Sequence, residues 1–354
     1  MTTLPTRGSL PTRDSRWRGH WAIELFVRVL LAHTPQMRRD YYGERSLAGL
    51  RAVAEVKLHE SDTALDAAAL VAAARDVEIV VADRMTQGPA EIFPKLPGLR
   101  AFVRCAVDIR NIDVTAASAV GVLVTQASPG FVQSVAELAL GYMVDLSRGV
   151  SRATADYHAG RAPAIVMGRQ LAGSRIGIIG YGAIGRYLSG LAQALGMEVL
   201  VADPFVTIGD TAIRHVALDA LLAQSDYVVC LAIANEQTEN LIGQAALARM
   251  QKHAVFINLS RGNLVDEAAL AAALRENRIA GAALDVGRAP DQMPMPELAR
   301  LHNVIATPHV GGLTPEAIEH QSSETVRQVA AIIRGEAPVG SVNAETWTRR
   351  PERT

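Results

Sequence analysis

The sequence predicts an α/β protein with two doubly wound parallel sheets. Three observations support this fold class. The chain has 354 residues, which exceeds the usual size of a single hydrophobic core and favours two domains. Short apolar runs rich in valine and isoleucine alternate with helical patterns, as is typical of parallel sheets covered on both faces. One of these runs leads directly into a glycine-rich turn that is followed by a helical pattern.

Two groups of strands are predicted, and a long helical pattern over Val132–Leu146 separates them. The strands of the first group are Val27–Ala32, Glu78–Ala82, Ala101–Cys105 and Gly121–Thr125. Those of the second group are Arg175–Ile179, Glu198–Ala202, Arg214–Val216, Asp226–Leu231, Ala254–Leu259, Ala282–Val286 and Val304–Thr307. Helical patterns between the strands include Arg45–Ala54, Thr63–Ala74 and Asp266–Glu276. A last helical pattern, Pro315–Arg334, follows the second group, so we expect the C-terminus to complete the first domain.

The composition excludes several classes of protein. The formal net charge is −1 and both signs are interspersed, so no basic surface for nucleic acid is expected. No apolar stretch reaches the roughly 18 uninterrupted residues that a membrane span needs, and the N-terminal segment lacks the apolar core of a signal peptide. Cys105 and Cys230 lie in predicted strands or at their ends, which predicts buried free thiols in a reducing compartment. We therefore expect a soluble, cytoplasmic protein.

A glycine motif marks a dinucleotide site. The predicted strand Arg175–Ile179 runs into a G-x-G-x-x-G sequence over residues 180–185, and a helical pattern follows. The motif alone is weak evidence, but a strand before it and a helix after it strengthen it. We expect Gly180 to permit a tight turn, Gly182 to leave room for a pyrophosphate, and Gly185 to allow close helix–strand packing.

The residues around this motif predict the nucleotide. The amides of Ala183 and Ile184 would face the phosphates at the helix N-terminus, where the helix dipole favours negative charge. Asp203 stands at the carboxyl end of the next predicted strand, Glu198–Ala202. Its carboxylate can accept both ribose hydroxyls and would repel a 2′-phosphate, and Pro204 rather than an arginine follows it. These residues predict a Rossmann-type domain that binds NAD, with NADP less favoured.

Three further residues fall where a parallel sheet places its ligands, beyond the carboxyl ends of the strands. Arg261 follows a predicted strand, and its planar guanidinium matches a carboxylate. His309 follows the last strand of the second group, and imidazole titrates near neutrality, so it can move a hydroxyl proton. Asp285 ends the strand between them. The alternative for Arg261 is a surface or helix-capping role, and the alternative for His309 is a structural histidine with satisfied hydrogen bonds.

At these residues the sequence resembles the D-isomer-specific 2-hydroxyacid dehydrogenases. The resemblance runs from about Pro97 to Arg334 and is specific because its motifs occur in order and at matching spacing. The motifs are R-N-I-D at 110–113, V-A-E at 135–137, L-A-G at 171–173, the glycine motif, V-A-D-P at 201–204, S-R-G-N-L-V-D-E at 260–267, L-D-V at 284–286 and T-P-H-V-G-G at 307–312.

The resemblance implies a domain organisation. It implies a Rossmann-type NAD-binding domain over residues 128–312 and a flavodoxin-like substrate domain over residues 25–127 plus 313–354, with the active site in a cleft between them. Residues 1–24 are interpreted as an N-terminal extension. A homodimer formed largely through the NAD domain is also implied, and no metal ion is expected.

The resemblance also implies roles for individual residues. Arg261 would hold the substrate carboxylate and polarise the carbonyl, His309 would be the acid/base, and Asp285 would hold the nicotinamide carboxamide. Backbone amides of the loop over residues 106–109 would help to bind the substrate carboxylate. The expected substrate contacts from this loop are Ala106, Val107 and Asp108. The expected cofactor contacts beyond the glycine motif and Asp203 are Leu259, Ser260, Arg261, Asp285, His309, Gly311 and Gly312.

Two departures from the family pattern concern the chemistry. The family places a glutamate five residues after the Leu-Asp-Val aspartate, where it pairs with the catalytic histidine, but this chain has Pro290 there. Asp291 is the nearest carboxylate and is expected to stand in if the proline redirects the loop. Asp108 occupies a position where glycine is common, and an extra carboxylate there would repel an acid substrate or select one that carries a positive group.

The function predicted from these observations is the NAD(H)-dependent interconversion of a small 2-keto acid and a D-2-hydroxy acid. One alternative is an NAD-binding regulatory protein of the same fold with little turnover, which Pro290 favours and the presence of Arg261 and His309 disfavours. The other alternative is a formate- or phosphite-type dehydrogenase, which would need no keto acid.

Overall fold

The computed structural model describes residues 27–289 and 292–351, so the predicted extension over residues 1–24 lies outside the described residues. The chain forms two compact units. The first contains the described residues up to Ser128 together with those from Gln321 onward, and the second is Pro129–His320.

The first unit is built on a parallel five-stranded sheet with the order β2-β1-β3-β4-β5. Its strands are β1 (Arg28–Leu31), β2 (Glu55–Leu58), β3 (Ile79–Ala82), β4 (Ala101–Arg104) and β5 (Leu123–Thr125). Its helices before β5 are α1 (Pro35–Tyr41), α2 (Glu44–Val53), α3 (Ala67–Ala74) and α4 (Val114–Ala119), with a 3₁₀ turn at Ala90–Lys95.

Alternating side chains of this sheet enter two separate cores, one on each face. In β3, Val80 packs into one core and Val81 into the other, which explains why the strand is apolar at every position. Strand β2 was missed by the sequence prediction. It is an edge strand in which Glu55 and Lys57 are exposed, so it lacks the continuous apolar run that identified most of the others.

The second unit is built on a parallel seven-stranded sheet with the order β12-β11-β10-β9-β6-β7-β8. Its strands are β6 (Arg175–Ile179), β7 (Glu198–Ala202), β8 (Ile213–His215), β9 (Tyr227–Cys230), β10 (Val255–Asn258), β11 (Gly281–Leu284) and β12 (Val304–Ala306). Each predicted strand of the second group is therefore present. The two parallel-sheet units confirm the predicted α/β fold class.

Helices flank this sheet and carry the chain back from strand to strand. They are α5 (Val132–Arg148), α6 (Val150–His158), α7 (Ala183–Ala194), α8 (Leu218–Gln224), α9 (Gln244–Arg249), α10 (Glu267–Arg275) and α11 (Pro296–Ala299). Helix α12 (Pro315–Ile333) follows the last strand, and short 3₁₀ turns occur at Glu236–Thr238, Gly262–Leu264 and Ala344–Thr346.

The strand order positions the functional residues. Since the strands are parallel, their carboxyl ends share one edge of the sheet. Strand β6 lies between β7 and β9. The chain therefore adds β7 and β8 on one side of β6 and then returns to add β9 to β12 on the other side. Ligands of doubly wound sheets bind beyond the carboxyl ends at such a reversal.

Residues from the C-terminus complete the core of the first unit. Val329, Ile332 and Trp347 are buried in the same core as Val81 of β3, and the Trp347 indole donates a hydrogen bond to the carbonyl of Arg100 at 3.1 Å. In the part of the chain that the structure describes, no helix is both long enough and apolar enough to cross a membrane.

Candidate active site

The three glycines of the motif after β6 have different surroundings. Gly180 has a left-handed φ of 94°, and a Cβ there would lie 2.7 Å from the backbone nitrogen of Ala232. A Cβ on Gly185 would lie 2.4 Å from the carbonyl oxygen of Gly180. By contrast, a Cβ on Gly182 would meet no atom within 4 Å. Packing therefore requires glycine at Gly180 and Gly185, whereas Gly182 leaves open space at the N-terminus of α7.

This open space adjoins backbone amides that can bind an anion. Ala183 and Ile184 are the first residues of α7, and first-turn amides have no intrahelical carbonyl to bond. The Arg186 guanidinium stacks over the Tyr181 ring at 4.6 Å from its centroid, which adds a cation beside the loop. The backbone therefore fits a dinucleotide phosphate.

Asp203 is linked to the glycine loop. Its carboxylate accepts hydrogen bonds from the amide of Tyr181 at 2.7 Å and from the amide of Phe205 at 2.9 Å. A carboxylate has about four lone-pair positions, so these two bonds orient it and leave it able to accept more. A half-buried carboxylate at the end of β7, next to the glycine loop, fits the ribose hydroxyls of NAD.

Arg261 follows β10 in a turn that side chains hold in shape. Buried Asn258 donates from Nδ2 to the carbonyl of Arg261 at 2.9 Å and accepts from the amide of Ser260 at 3.1 Å. Gly262 is required here because its Cβ would lie 2.1 Å from the carbonyl carbon of Gly287. The Arg261 Nη1 donates to the carbonyl of Ser260 at 2.7 Å, so the guanidinium is placed beside the end of β10.

His309 has an uncommon backbone conformation. Its φ is +55°, in the left-handed region that costs a non-glycine residue roughly 1–2 kcal/mol. Its amide donates to the carbonyl of Thr307 at 3.0 Å, and the amide of Leu313 donates to the carbonyl of Val310 at 2.8 Å. The segment after β12 is therefore tightly folded around His309, as is frequent for residues at functional sites.

The Asp285 carboxylate fixes this segment. It is buried and accepts hydrogen bonds from the Thr307 hydroxyl at 2.5 Å and from the amides of Val310 and Gly311, both at 2.8 Å. A Cβ on Gly311 would lie 2.9 Å from Asp285 Oδ2, so glycine allows this approach. Asp285 thus connects the end of β11 to both sides of His309.

The sheet register brings three of the predicted residues to adjacent strand ends. Asn258, Leu284 and Ala306 pair across β10, β11 and β12. Arg261 and His309 each lie three residues beyond their strand's paired residue, and Asp285 lies one residue beyond its own. Since neighbouring strands are about 4.8 Å apart, the segments that carry Arg261 and His309 leave the sheet roughly 10 Å apart, with Asp285 on the strand between them.

Comparison with known proteins agrees with this arrangement. Residues 140–311 match the family described as D-isomer specific 2-hydroxyacid dehydrogenase, NAD binding domain. The chain is 37% identical over 269 residues to an (S)-sulfolactate dehydrogenase from Chromohalobacter salexigens, covering 75% of this chain and 87% of that protein. It is 30% identical over 316 residues to a glyoxylate reductase from Korarchaeum cryptofilum, covering 87% and 95%. The chain belongs to the D-isomer-specific 2-hydroxyacid dehydrogenase family.

A solved structure agrees with this conclusion. A protein from Polaromonas sp. JS6 66, described as a D-isomer specific 2-hydroxyacid dehydrogenase, has a TM-score of 0.81 and 26% identity, covering 90% of this chain and 99% of that one. Membership of this family makes the chain an NAD-dependent oxidoreductase that acts on CH–OH donors.

The remaining predicted cofactor contacts of the dehydrogenase differ in their surroundings. Leu259 is buried, and the Ser260 hydroxyl donates to the carbonyl of Ala232. Gly312 packs against Phe131. Pro290 and Asp291 lie outside the described residues.

The predicted substrate loop of the dehydrogenase belongs to the first unit. Ala106, Val107 and Asp108 follow β4. The Asp108 carboxylate is bridged by the Arg110 guanidinium, with Nε at 3.0 Å from Oδ1 and Nη2 at 2.5 Å from Oδ2. The unbalanced negative charge anticipated at Asp108 is therefore offset within its own loop.

Sequence reasoning missed Tyr142 of the dehydrogenase. Its hydroxyl bonds the Thr307 hydroxyl, and burial raises its pKa well above the ordinary value. A tyrosine among the apolar residues of helix α5 was the available signal, because a buried phenol usually requires a hydrogen-bond partner.

Proposed function

We propose that the dehydrogenase interconverts a small 2-keto acid and the corresponding D-2-hydroxy acid, with NAD(H) as its cofactor. The observation that supports this most directly is the placement of Arg261, Asp285 and His309 at the ends of three adjacent strands. The same sheet edge carries the glycine loop and Asp203. A carboxylate-binding cation, a fixed carboxylate and an acid/base therefore accompany a nucleotide site.

Each residue has a role in this proposal. The Arg261 guanidinium binds the substrate carboxylate and polarises the neighbouring carbonyl. Protonated His309 gives its proton to the oxygen of the forming alcohol, and neutral His309 takes the hydroxyl proton in the reverse direction. Bound NAD(H) supplies or accepts the hydride. Holding these groups together makes the transfer effectively intramolecular.

Asp203 and Asp285 are proposed to bind the two ends of the cofactor, and Asp203 is also proposed to select NAD over NADP. The Asp203 carboxylate would accept the ribose hydroxyls and repel a 2′-phosphate, which favours NAD over NADP. Oδ2 of Asp285 accepts one hydrogen bond, from the amide of Gly311. Because a carboxylate oxygen has two lone pairs, Oδ2 can also accept a hydrogen bond from the nicotinamide carboxamide. Leu259, Ser260 and Gly312 are proposed as further contacts on the same basis.

The proposed substrates are small acids, including acids with a second anionic group. The pairing of Asp108 with Arg110 reduces the repulsion that an acid would meet near the loop that also contains Ala106 and Val107. The (S)-sulfolactate relative supports the D configuration, because the sulfonated carbon outranks the carboxylate in naming. Its (S) label therefore denotes the same spatial arrangement as D-lactate.

Asp291 is proposed as the carboxylate partner of His309. Pro290 fills the position of the usual glutamate, and Asp291 is its immediate neighbour in the chain. A carboxylate beside an imidazolium favours the charged form, which would keep His309 protonated for keto-acid reduction.

A homodimer is proposed through an apolar surface of the second unit. The surface consists of exposed side chains on α5, on α6 and in the segment after α6, namely Val144, Val150, Tyr157, Ile165, Val166 and Met167. Ile165 and Met167 are 104% and 95% exposed, and contiguous exposed apolar surface is typical of an interaction site. We propose that a second copy of this chain covers this surface. We also propose that the protein is cytoplasmic.

The test is NADH oxidation with glyoxylate, hydroxypyruvate, phenylpyruvate and 3-sulfopyruvate, repeated with NADPH. We expect turnover with at least one acid, a higher kcat/KM with NADH, and a D product by chiral chromatography. His309→Gln should lower kcat by about 10²–10⁴-fold. His302→Gln is the matched control and should change little, because His302 lies in the exposed turn before β12, at the opposite end of that strand from His309.

Two results would contradict the proposal. NADH binding without turnover on any acid would indicate a regulatory NAD-binding protein. NADH production from formate or phosphite, with no keto-acid reduction, would indicate the other alternative.

A further inference from the structure

The geometry points to Tyr142 and Thr307 as positioning residues that hold His309 in its catalytic conformation through the Asp285 carboxylate. This inference rests on the proposed role of His309 and adds to it two residues that do not themselves touch the substrate. The three side chains form a continuous hydrogen-bonded chain from helix α5 to the end of β11.

The direction of the hydrogen bonds follows from the chemistry of the groups. Asp285 accepts one backbone amide on each oxygen, so both of its oxygens act as acceptors here. The Thr307 hydroxyl has one proton and donates it to Asp285 Oδ1 at 2.5 Å, within the range of charge-assisted bonds. Tyr142 must therefore be the donor in its bond with Thr307. The order of donation is Tyr142 to Thr307 to Asp285.

This order restricts the Thr307 side chain. A threonine hydroxyl can rotate to several acceptors, but the Tyr142 proton occupies one lone pair and directs the Thr307 proton to Asp285. Tyr142 is only 4% exposed, so water does not readily replace its hydroxyl. Without the tyrosine hydroxyl, the Thr307 proton would lose this orientation.

The same bonds restrict His309. Oδ1 of Asp285 bonds both the Thr307 hydroxyl and the Val310 amide, which lie on opposite sides of His309 in the chain. A change of the left-handed φ of His309 would have to move one of these donors away from the carboxylate. The hydrogen-bonded chain thus maintains a strained conformation that the histidine would not adopt alone.

The test uses four variants of the full-length enzyme. Tyr142→Phe removes the first donor, Thr307→Val removes the second, and Thr307→Ser restores a hydroxyl. Tyr227→Phe is the matched control: Tyr227 is also buried, and its hydroxyl bonds Ser147 on the same helix α5 at 2.6 Å. Tyr227 begins β9 at the amino edge of the sheet, away from His309.

We expect Tyr142→Phe to lower kcat about tenfold and Thr307→Val about 100-fold, with the keto-acid KM and the NADH Kd within about twofold of wild type. Thr307→Ser should recover kcat to within about threefold, because the hydroxyl rather than the methyl group carries the effect. Amide hydrogen exchange at Val310 and Gly311 should be faster in Tyr142→Phe and unchanged in Tyr227→Phe.

Several outcomes would overturn the inference. An equal loss in Tyr142→Phe and Tyr227→Phe would indicate general destabilisation. A rise in the NADH Kd that matches the fall in kcat would assign the hydrogen-bonded chain to cofactor binding instead. A wild-type enzyme without turnover would refute the proposed function. The exchange rates would then still decide whether Tyr142 and Thr307 hold the His309 segment.

Discussion

His33 is a buried histidine just after β1, and it illustrates how one residue couples stability to pH. It is 1% exposed, its Nδ1 has no hydrogen-bond partner within the described residues, and its ring meets the Tyr42 ring edge-on at 5.1 Å. Burial lowers its pKa from 6.5 to about 4, against the opposing effect of Asp83 and with smaller contributions from Arg104 and Arg38. The neutral form is therefore the native one.

This pKa predicts the direction of acid destabilisation. The unfolded chain binds a proton at His33 below pH 6.5, whereas the folded chain does so only below about pH 4. The contribution of neutral His33 to stability is complete above pH 6.5 and is lost as the pH falls toward 4, on the order of a few kcal/mol. Urea unfolding should show a shallower decline between these pH values in His33→Gln than in wild type. Parallel pH curves for the two proteins would contradict this prediction.

At the scale of elements, helix α7 contains two glycines in opposite environments. Gly185 is buried, and a Cβ would lie 2.4 Å from the Gly180 carbonyl oxygen, whereas a Cβ on Gly190 would meet nothing within 4 Å. The same glycine-to-alanine change in one helix should therefore have opposite effects.

We expect Gly190→Ala to stabilise the protein by up to about 1 kcal/mol, since alanine is the better helix former. Gly185→Ala should lower the Tm and raise the NADH Kd, because the helix must move away from the phosphate-binding loop. Thermal unfolding and isothermal titration with NADH measure both effects. Unchanged NADH binding in Gly185→Ala would mean that this packing does not shape the nucleotide loop.

The sequence predicted buried elements better than exposed ones. Six of the seven strands β6 to β12 were predicted from apolar runs bounded by turn residues; β8 was predicted although its Arg214 and His215 are exposed. Strand β2 was missed because its solvent-facing positions are Glu55 and Lys57. The 3₁₀ turn at Ala90–Lys95 contains Pro94 and has no helical period long enough to recognise.

The same reasoning applies to the candidate site. Arg261, Asp285 and His309 were predicted because each lies at or shortly after the end of a strand, and parallel strands bring their ends to one edge. Tyr142 lies far from them in sequence, on a helix that was predicted only as the element separating the two groups of strands. The bond from Thr307 to Asp285 depends on side-chain orientation, which a strand pattern does not specify.

At the scale of the whole molecule, the apolar surface of the second unit predicts the assembly state. Met167→Glu combined with Ile165→Glu should convert the proposed dimer to a monomer, because a charge buried in an apolar interface is strongly unfavourable. Sedimentation velocity measures this change. Val339→Glu, at an exposed valine of the first unit, is the control and should remain dimeric. A monomeric wild type, or a double variant that remains dimeric, would contradict the prediction.

The two cysteines of the chain also have a practical consequence. Cys105 and Cys230 are free and buried, and burial raises the pKa of each thiol to about 12. Thiolates are the form that alkylating reagents attack, so both sulfur atoms should stay unmodified in the folded enzyme. A single cysteine introduced on the surface would then be the one reactive position for a fluorophore or spin label, without prior removal of the native cysteines.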